Sequence, residues 1–167
     1  VTAFAQTSDD TLWLGSTVIS AMDRSSEIMS FPELQGENTV AMTVDHHQNL
    51  WLAKEHFGVC RRVNGHWDIF GKKEGLPDLK LSDMLTLQDG SLLAASSQAI
   101  SRFDGVSWVS DAYPKWFGMS VRWSSLKTSS DGSIWFNYVT GEKRMSTVIT
   151  ESRGSCTIRH RAEQDPP

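Results

Sequence analysis

The chain has 167 residues, a net charge of −4 and 39% hydrophobic residues, enough for one ordinary domain with a sizeable core. Its slight acidity, without a stripe of clustered lysines and arginines, argues against a surface built for nucleic-acid phosphates. No apolar run approaches the roughly 20 residues needed to span a bilayer. We therefore predict no nucleic-acid partner and no membrane span.

A short phrase returns along the whole sequence: a turn-forming residue, a polar residue, then an apolar run. The copies occupy residues 10–15, 48–53, 90–95 and 132–137. Their anchor residues are Trp13, Trp51, Leu93 and Trp135, which stand 38, 42 and 42 residues apart. A fixed period of this length is typical of a repeat protein. Each copy predicts a tight turn that leads into a buried strand.

Each repeat predicts four strands. In the first repeat they lie near residues 2–6, 12–15, 18–22 and 28–31. In the second they are 40–44, 50–53, 59–63 and 66–70, with Asn64-Gly65 as a two-residue hairpin turn. In the third they are 84–87, 91–95, 99–103 and 106–110, with a hairpin at Asp104-Gly105. In the fourth they are 124–128, 134–138, 145–150 and 155–159.

Four-stranded meanders of about 40 residues, repeated radially, are typical of a β-propeller. The repeated turn before Leu-Trp, the later Phe103-Asp104-Gly105 or Val63-Asn64-Gly65, and the linking Gly75-Leu76-Pro77 resemble the two-component regulator propeller repeat. The resemblance covers about residues 2–138. It implies a sensor region of the kind that precedes the membrane span in hybrid sensor kinases, and hence a periplasmic or extracellular location. With four repeats, the chain has fewer than the larger propellers of that family.

We predict an all-β fold of four four-stranded antiparallel blades. The blades form a single domain over residues 1–161, at about 1–35, 36–77, 78–119 and 120–161, with a C-terminal tail at 162–167. Because repeats bury their faces against neighbours, an open arc would expose apolar surface. Two arrangements avoid this: closure of the four blades on themselves, or a homodimer that completes an eight-blade ring.

Five of the seven tryptophans stand at repeat positions, where they are expected to pack between blades. They are Trp13, Trp51, Trp67, Trp108 and Trp135. The link before the fourth repeat holds further aromatic residues: Tyr113, Trp116, Phe117 and Trp123. Links of this kind cross one face of a propeller, where loops build binding sites. We predict these four as ligand-binding or interface residues, with packing between blades as the alternative.

Histidines in the second repeat invite a metal hypothesis. His46-His47 lies in a turn, and Glu55-His56 follows the next strand. A metal site needs three or four converging ligands, and adjacent residues tend to point apart. We therefore predict a solvated turn, no metal and no cofactor. We also assign no catalytic residue, because Gly-x-Ser-x-Gly, phosphate-loop and Cys-x-x-Cys motifs are all missing from the sequence.

These observations predict a non-catalytic binding or sensing module that recognises a small molecule, a glycan or a protein through its loop face. One alternative is a propeller enzyme of the lyase or hydrolase type, which requires a histidine and an acidic residue at the central channel. The other is a purely structural, self-assembling module.

Overall fold

The structure is a computed structural model that describes residues 2–110, 113, 120–122, 125–140, 143–152 and 155–162. Blade 1 contains β1 (Ala3–Gln6), β2 (Leu12–Gly15), β3 (Ile19–Met22) and β4 (Ile28–Phe31). Blade 2 contains β5 (Thr39–Val44), β6 (Leu50–Lys54), β7 (Gly58–Val63) and β8 (His66–Phe70). Blade 3 contains β9 (Leu81–Thr86), β10 (Leu92–Ser96), β11 (Ile100–Phe103) and β12 (Trp108–Val109). Blade 4 contains β13 (Ser120–Val121), β14 (Lys127–Thr128), β15 (Ile134–Thr140), β16 (Lys143–Ser152) and β17 (Ser155–Ala162).

Each blade is an antiparallel meander, so the predicted all-β fold of four four-stranded sheets is confirmed. The largest departure lies at the inner edge of blade 4. The sequence predicts one strand over 124–128, whereas β13 and β14 are separate pieces that both pair with β15. Ala162, which we assigned to the tail, is the last residue of β17 and pairs with Met145.

The repeated phrase forms the same turn in every blade. In blade 2 the amide of Gln48 donates to the Asp45 carbonyl at 3.0 Å, and the amide of Asp45 donates to the Asn49 carbonyl at 3.1 Å. The last turn residue has a positive φ in all four copies. These residues are Asp10 (64°), Gln48 (64°), Gly90 (86°) and Gly132 (80°). Three of the four are glycine or aspartate, which tolerate that backbone conformation better than other residues, and Gln48 is the exception.

The anchor side chains of blades 1, 2 and 3 each point toward the following blade. Trp13 packs with Leu50 and Leu52 of blade 2, and Trp51 packs with Phe103 and Trp108 of blade 3. Leu93 shares its core with Ile134 and Phe136 of blade 4. Trp13, Trp51 and Leu93 are 6%, 1% and 0% exposed, which confirms their predicted burial.

The prediction that Trp135 is buried is wrong. Its neighbours Ile134 and Phe136 point toward blade 3 and are 2% exposed, whereas Trp135 is 47% exposed on the opposite side of β15. Since side chains alternate along a strand, Trp135 occupies the face on which a following blade would pack. No blade covers that face within the described residues.

In the part of the chain that the structure describes, a buried core joins each pair of successive blades, and none joins blade 4 to blade 1. Phe4 and Ile28 on blade 1 are 72% and 67% exposed, and Val139 on blade 4 is 38% exposed beside Trp135. The described blades therefore form an open arc.

The helical segments among the described blades are the short 3-10 helices Pro32–Leu34 and Lys72–Glu74. No described helix has the length and apolar character to cross a membrane.

Candidate functional site

The arc has two faces at opposite strand ends. The turn face carries the turns between the first and second strands, together with the Asn64-Gly65 and Asp104-Gly105 hairpins. The link face carries the connections between blades. Successive turns touch on the turn face: the Ser8 amide donates to the Gln48 side chain at 3.2 Å, and Gln88 Nε2 donates to the Ser129 carbonyl at 3.2 Å.

Of the aromatic residues predicted to bind a ligand, Tyr113 lies among the described residues. It is 3% exposed and belongs to the core between blades 3 and 4, with Leu93 and Phe136. Its side chain thus packs between blades 3 and 4. Trp116, Phe117 and Trp123 lie outside the described residues.

The histidine pairs lie on different faces. His46 and His47 belong to the turn before β6, whereas Glu55 and His56 follow it, and a five-residue strand spans about 16 Å. His56 Nε2 lies 3.6 Å from Glu55 Oε1 on the link face. Across the described residues, no group of three or more His, Cys, Asp or Glu side chains has the arrangement to hold a metal ion.

Two grooves open on the turn face. Groove 1–2, between blades 1 and 2, has a volume of about 280 Å³ and is lined by Asp9, Trp13, Arg62 and Asn64, among others. Groove 2–3, between blades 2 and 3, has a volume of about 370 Å³. Its lining includes Asp45, Trp51, Arg61, Asp89 and Asp104. His47 and Asn49 line both grooves, so the blade 2 turn forms their common wall.

Asp45 holds this common wall in place. Its Oδ1 accepts the amides of His47 and Asn49, each at 2.9 Å. Its Oδ2 accepts Trp51 Nε1 at 2.8 Å and Asn49 Nδ2 at 3.0 Å. Burial acts to raise the pKa of Asp45, but the hydrogen bonds from Trp51, Asn49 and His47 outweigh it and place the pKa below its usual value.

We expect Asp45→Asn to lower the free energy of unfolding at pH 7 by about 1 to 3 kcal/mol, because an amide nitrogen cannot accept the Trp51 and Asn49 side-chain donors. The pKa of Asp45 is lower in the folded than in the unfolded chain, so its stabilisation is complete above the unfolded pKa, near 3.8. That stabilisation is lost as the pH falls through the lower folded pKa. The difference in free energy of unfolding between the wild type and Asp45→Asn should therefore shrink below pH 4.

Urea denaturation of both proteins between pH 7 and pH 2.5 measures this difference. Asp131→Asn is the matched control, because Asp131 lies in the equivalent turn of blade 4 but is exposed and accepts the Ser133 amide at 2.9 Å. An Asp45 effect that stays constant down to pH 2.5 would contradict the role of the ionised carboxylate.

Stacked arginines form the floor of both grooves. The Arg61 guanidinium lies 5.2 Å from the centre of the Trp51 ring and 5.4 Å from that of Phe70. Arg62 lies 5.2 Å from Trp13, 4.6 Å from Phe31 and 5.4 Å from Trp67. Cation–π contacts of this kind restrict the position of a guanidinium. Each groove thus presents a positioned cation beside carboxylate and amide groups.

A third concavity of about 300 Å³ lies where the inner strands of the four blades converge, and Asp83 and Lys127 line it. Asp83 is 4% exposed and accepts the Leu126 amide of blade 4 at 2.7 Å. Burial raises the pKa of Asp83, although its hydrogen bonds from the Leu126 and Met84 amides and the nearby Lys127 charge act in the opposite direction. The described lining of this channel contains no histidine.

No motif in the sequence points to the grooves. Their residues were visible only as repeated structural positions: aspartates and asparagines in turns, and anchor tryptophans. One available signal was the Arg61-Arg62 pair in a strand otherwise made of apolar residues, since adjacent residues of a strand face the two neighbouring blades.

A scan against protein-family models finds no match, and a search of curated proteins finds none either. Solved structures do match. The chain superposes with a TM-score of 0.74 and 15% identity on a protein described as the extracellular domain of a hybrid two-component system, BT4673 of B. thetaiotaomicron. The same description applies to BT3049 of that organism, with a TM-score of 0.68 and 19% identity. The chain has the β-propeller fold.

The propeller covers only part of each of these proteins. The matches include 97% of this chain and 22% of the BT4673 extracellular-domain chain, and 80% of this chain and 20% of the BT3049 extracellular-domain chain. Virginiamycin B lyase from Staphylococcus aureus also matches, with a TM-score of 0.70 and 14% identity over 93% of this chain and 54% of the lyase. The matches to BT4673 and BT3049 are consistent with the resemblance of the repeated phrase to the two-component regulator propeller repeat. At these identities, the likeness shows the fold alone.

Proposed function

We propose that this propeller is a binding module that recognises a small molecule, a glycan or a protein, and that its binding surface is the turn face. The observation that carries the proposal is the pair of adjacent grooves that share His47 and Asn49. Both grooves combine a guanidinium positioned by aromatic rings with hydrogen-bonding groups, as binding sites do. We further propose a periplasmic or extracellular setting, which the description of BT3049 and BT4673 as extracellular domains supports.

Chemical-shift mapping of the ¹⁵N-labelled chain with D-glucose, D-glucuronate and L-alanine tests the proposal. We expect shifts among turn-face amides, such as those of Asn49, Asn64 and Gly65. Shifts confined to residues 111–124 would move the site to the aromatic link, where Trp116, Phe117 and Trp123 are the candidates. That outcome, or no shift at all, would overturn the turn-face assignment.

An enzyme of the lyase or hydrolase type is the second candidate, because a lyase is among the structural neighbours. It requires an acid and a base at the central channel. Asp83 supplies a buried carboxyl there, with Lys127 beside it. The binding module is preferred because both grooves already hold positioned binding groups, whereas the described channel pairs its carboxyl only with a lysine.

We also propose that two chains complete the ring. Trp135 and Val139 lie on the blade 4 face that corresponds to the face of blade 2 from which Trp51 contacts blade 3. The blade 1 face that would receive them carries Phe4, Leu12 and Leu14. Joining these faces between two copies covers both exposed apolar surfaces. A two-fold arrangement of two four-blade arcs gives a closed ring of eight blades.

We therefore expect light scattering with chromatography to give a mass twice 18.7 kDa. Trp135→Arg should return the mass to that of a single chain, because a charge would be buried at the joint. The matched control is Val106→Arg, since Val106 is 83% exposed at a hairpin of blade 3, away from both outer faces. A wild-type mass of 18.7 kDa that persists at high concentration rules the dimer out.

A further inference from the structure

The third strands of blades 2 and 3 carry three arginines, and their partners differ. Arg61 pairs with Asp68, with 2.7 Å between Nη2 and Oδ2. Arg102 pairs with Asp89. Arg62 forms no ion pair and donates no hydrogen bond to any residue that the structure describes. It is the stacked arginine of groove 1–2.

The Arg62 guanidinium is nevertheless accessible. The buried side-chain nitrogens without a partner, within the described residues, are the indole nitrogens of Trp67 and Trp108. The side-chain nitrogens of Arg62 also lack a hydrogen-bond partner in the described part of the chain but are not among these buried atoms, so each Arg62 nitrogen retains contact with solvent. The guanidinium carbon lies within 5.4 Å of the centres of the Trp13, Phe31 and Trp67 rings, so these rings fix its position at the groove, and its solvent-exposed N–H groups remain available to a ligand. A guanidinium edge presents two parallel donors at the spacing of a carboxylate.

Asp9 supplies the second element of the groove. Its Oδ1 accepts Thr7 Oγ1 at 2.6 Å and the Thr11 amide at 3.1 Å, and these bonds to Thr7 and Thr11 hold its pKa below the usual value. Asp9 is therefore ionised at neutral pH, yet it makes no ion pair with Arg62. A ligand that fits both groups carries an anion for Arg62 and a hydrogen-bond donor for Asp9.

We infer that groove 1–2 binds a small carboxylate ligand that also carries hydroxyl or ammonium donors, with its carboxylate on Arg62 and a donor on Asp9. The inference rests on the proposed function and specifies the chemical class of its ligand. Sugar acids and amino acids share this chemistry. The groove volume of about 280 Å³ suits a molecule of that size.

The test is a titration of the ¹⁵N-labelled chain with D-glucuronate, L-alanine and the neutral D-glucose. The buffer contains neither phosphate nor carboxylates, which would compete for Arg62. We expect at least one acid to shift the Asn64 and Gly65 amides with an affinity at least tenfold above that for D-glucose. Comparison of the two acids separates the sources: stronger binding of D-glucuronate indicates a sugar acid, and stronger binding of L-alanine an amino acid.

Arg62→Gln should weaken binding of the preferred acid at least tenfold. Arg62→Lys, which keeps the charge but loses the paired donors, should give an intermediate loss. The control is Lys73→Gln, which removes an exposed cation from the link face, away from both grooves, and should leave binding in groove 1–2 unchanged. A circular dichroism spectrum like that of the wild type checks that each variant is folded.

The outcomes separate this inference from the function on which it rests. If D-glucose binds groove 1–2 as tightly as both acids, or if Arg62→Gln leaves the affinity unchanged, the carboxylate assignment is overturned while the binding module stands. If neither acid nor D-glucose shifts any turn-face amide, the carboxylate site and the proposed turn-face function both fail.

Discussion

Replacing Trp51 by alanine is expected to lower the free energy of unfolding by about 3 to 5 kcal/mol, the range for truncation of a buried aromatic residue. Trp51 is 1% exposed. Its ring stacks on Phe70 at 5.5 Å and meets Phe103 of the next blade at 5.0 Å. The substitution also removes the indole donor from Asp45. The loss therefore combines a cavity between two blades with the removal of one of the two hydrogen bonds that Asp45 Oδ2 accepts.

Urea denaturation followed by circular dichroism measures this loss. Ile69→Ala is the control, because Ile69 is a large apolar residue of the same blade but is 51% exposed, and exposed positions usually change stability by about 0.5 kcal/mol or less. A loss below about 1 kcal/mol for Trp51→Ala would mean that Trp51 does not anchor the contact between blades 2 and 3.

The second large effect is expected at Gly75, in the link between blades 2 and 3. Its φ of +101° is strained for any other residue, and a Cβ there would lie 2.0 Å from the carbonyl oxygen of Trp108. We expect Gly75→Ala to cost about 1 to 3 kcal/mol for the backbone conformation and a further 1 to 3 kcal/mol or so for overpacking. The clash is with backbone, so a change of rotamer cannot relieve it.

Gly65→Ala separates the two contributions. Gly65 has a φ of +84°, but nothing lies within 4 Å of the position its Cβ would take. This control should show the conformational cost alone. Equal losses for Gly75→Ala and Gly65→Ala, measured by thermal unfolding, would show that the link does not press against β12 as the structure has it.

Gly75 also illustrates how far the sequence could go. The Gly75-Leu76-Pro77 motif contributed to the resemblance to a propeller repeat, but the reason for the glycine was not visible in it. That reason is the Trp108 carbonyl of the next blade, 33 residues further along the chain. A contact of this kind depends on how blades are placed against each other, which no local pattern encodes.

Trp135 shows the same limit at an anchor position. Its local phrase matches that of Trp51, and both strands formed as predicted. Burial of the side chain, however, depends on whether another blade covers that face, and the strand itself carries no information about it. The same holds for Arg62: its place in β7 followed from the repeat, whereas its lack of a carboxylate partner among the described residues emerged only from the packing of blades 1 and 2.

The sequence by itself determined the repeat, the four meanders and the chemistry of their turns, because strand alternation and positive-φ turns depend on residues close together in the chain. Tertiary structure alone decided which anchors are covered, where grooves open on the turn face and which arginine is left without an ion pair among the described residues. Those properties arise from contacts between residues about 40 positions apart, and their geometry is set by the packing of one blade against the next.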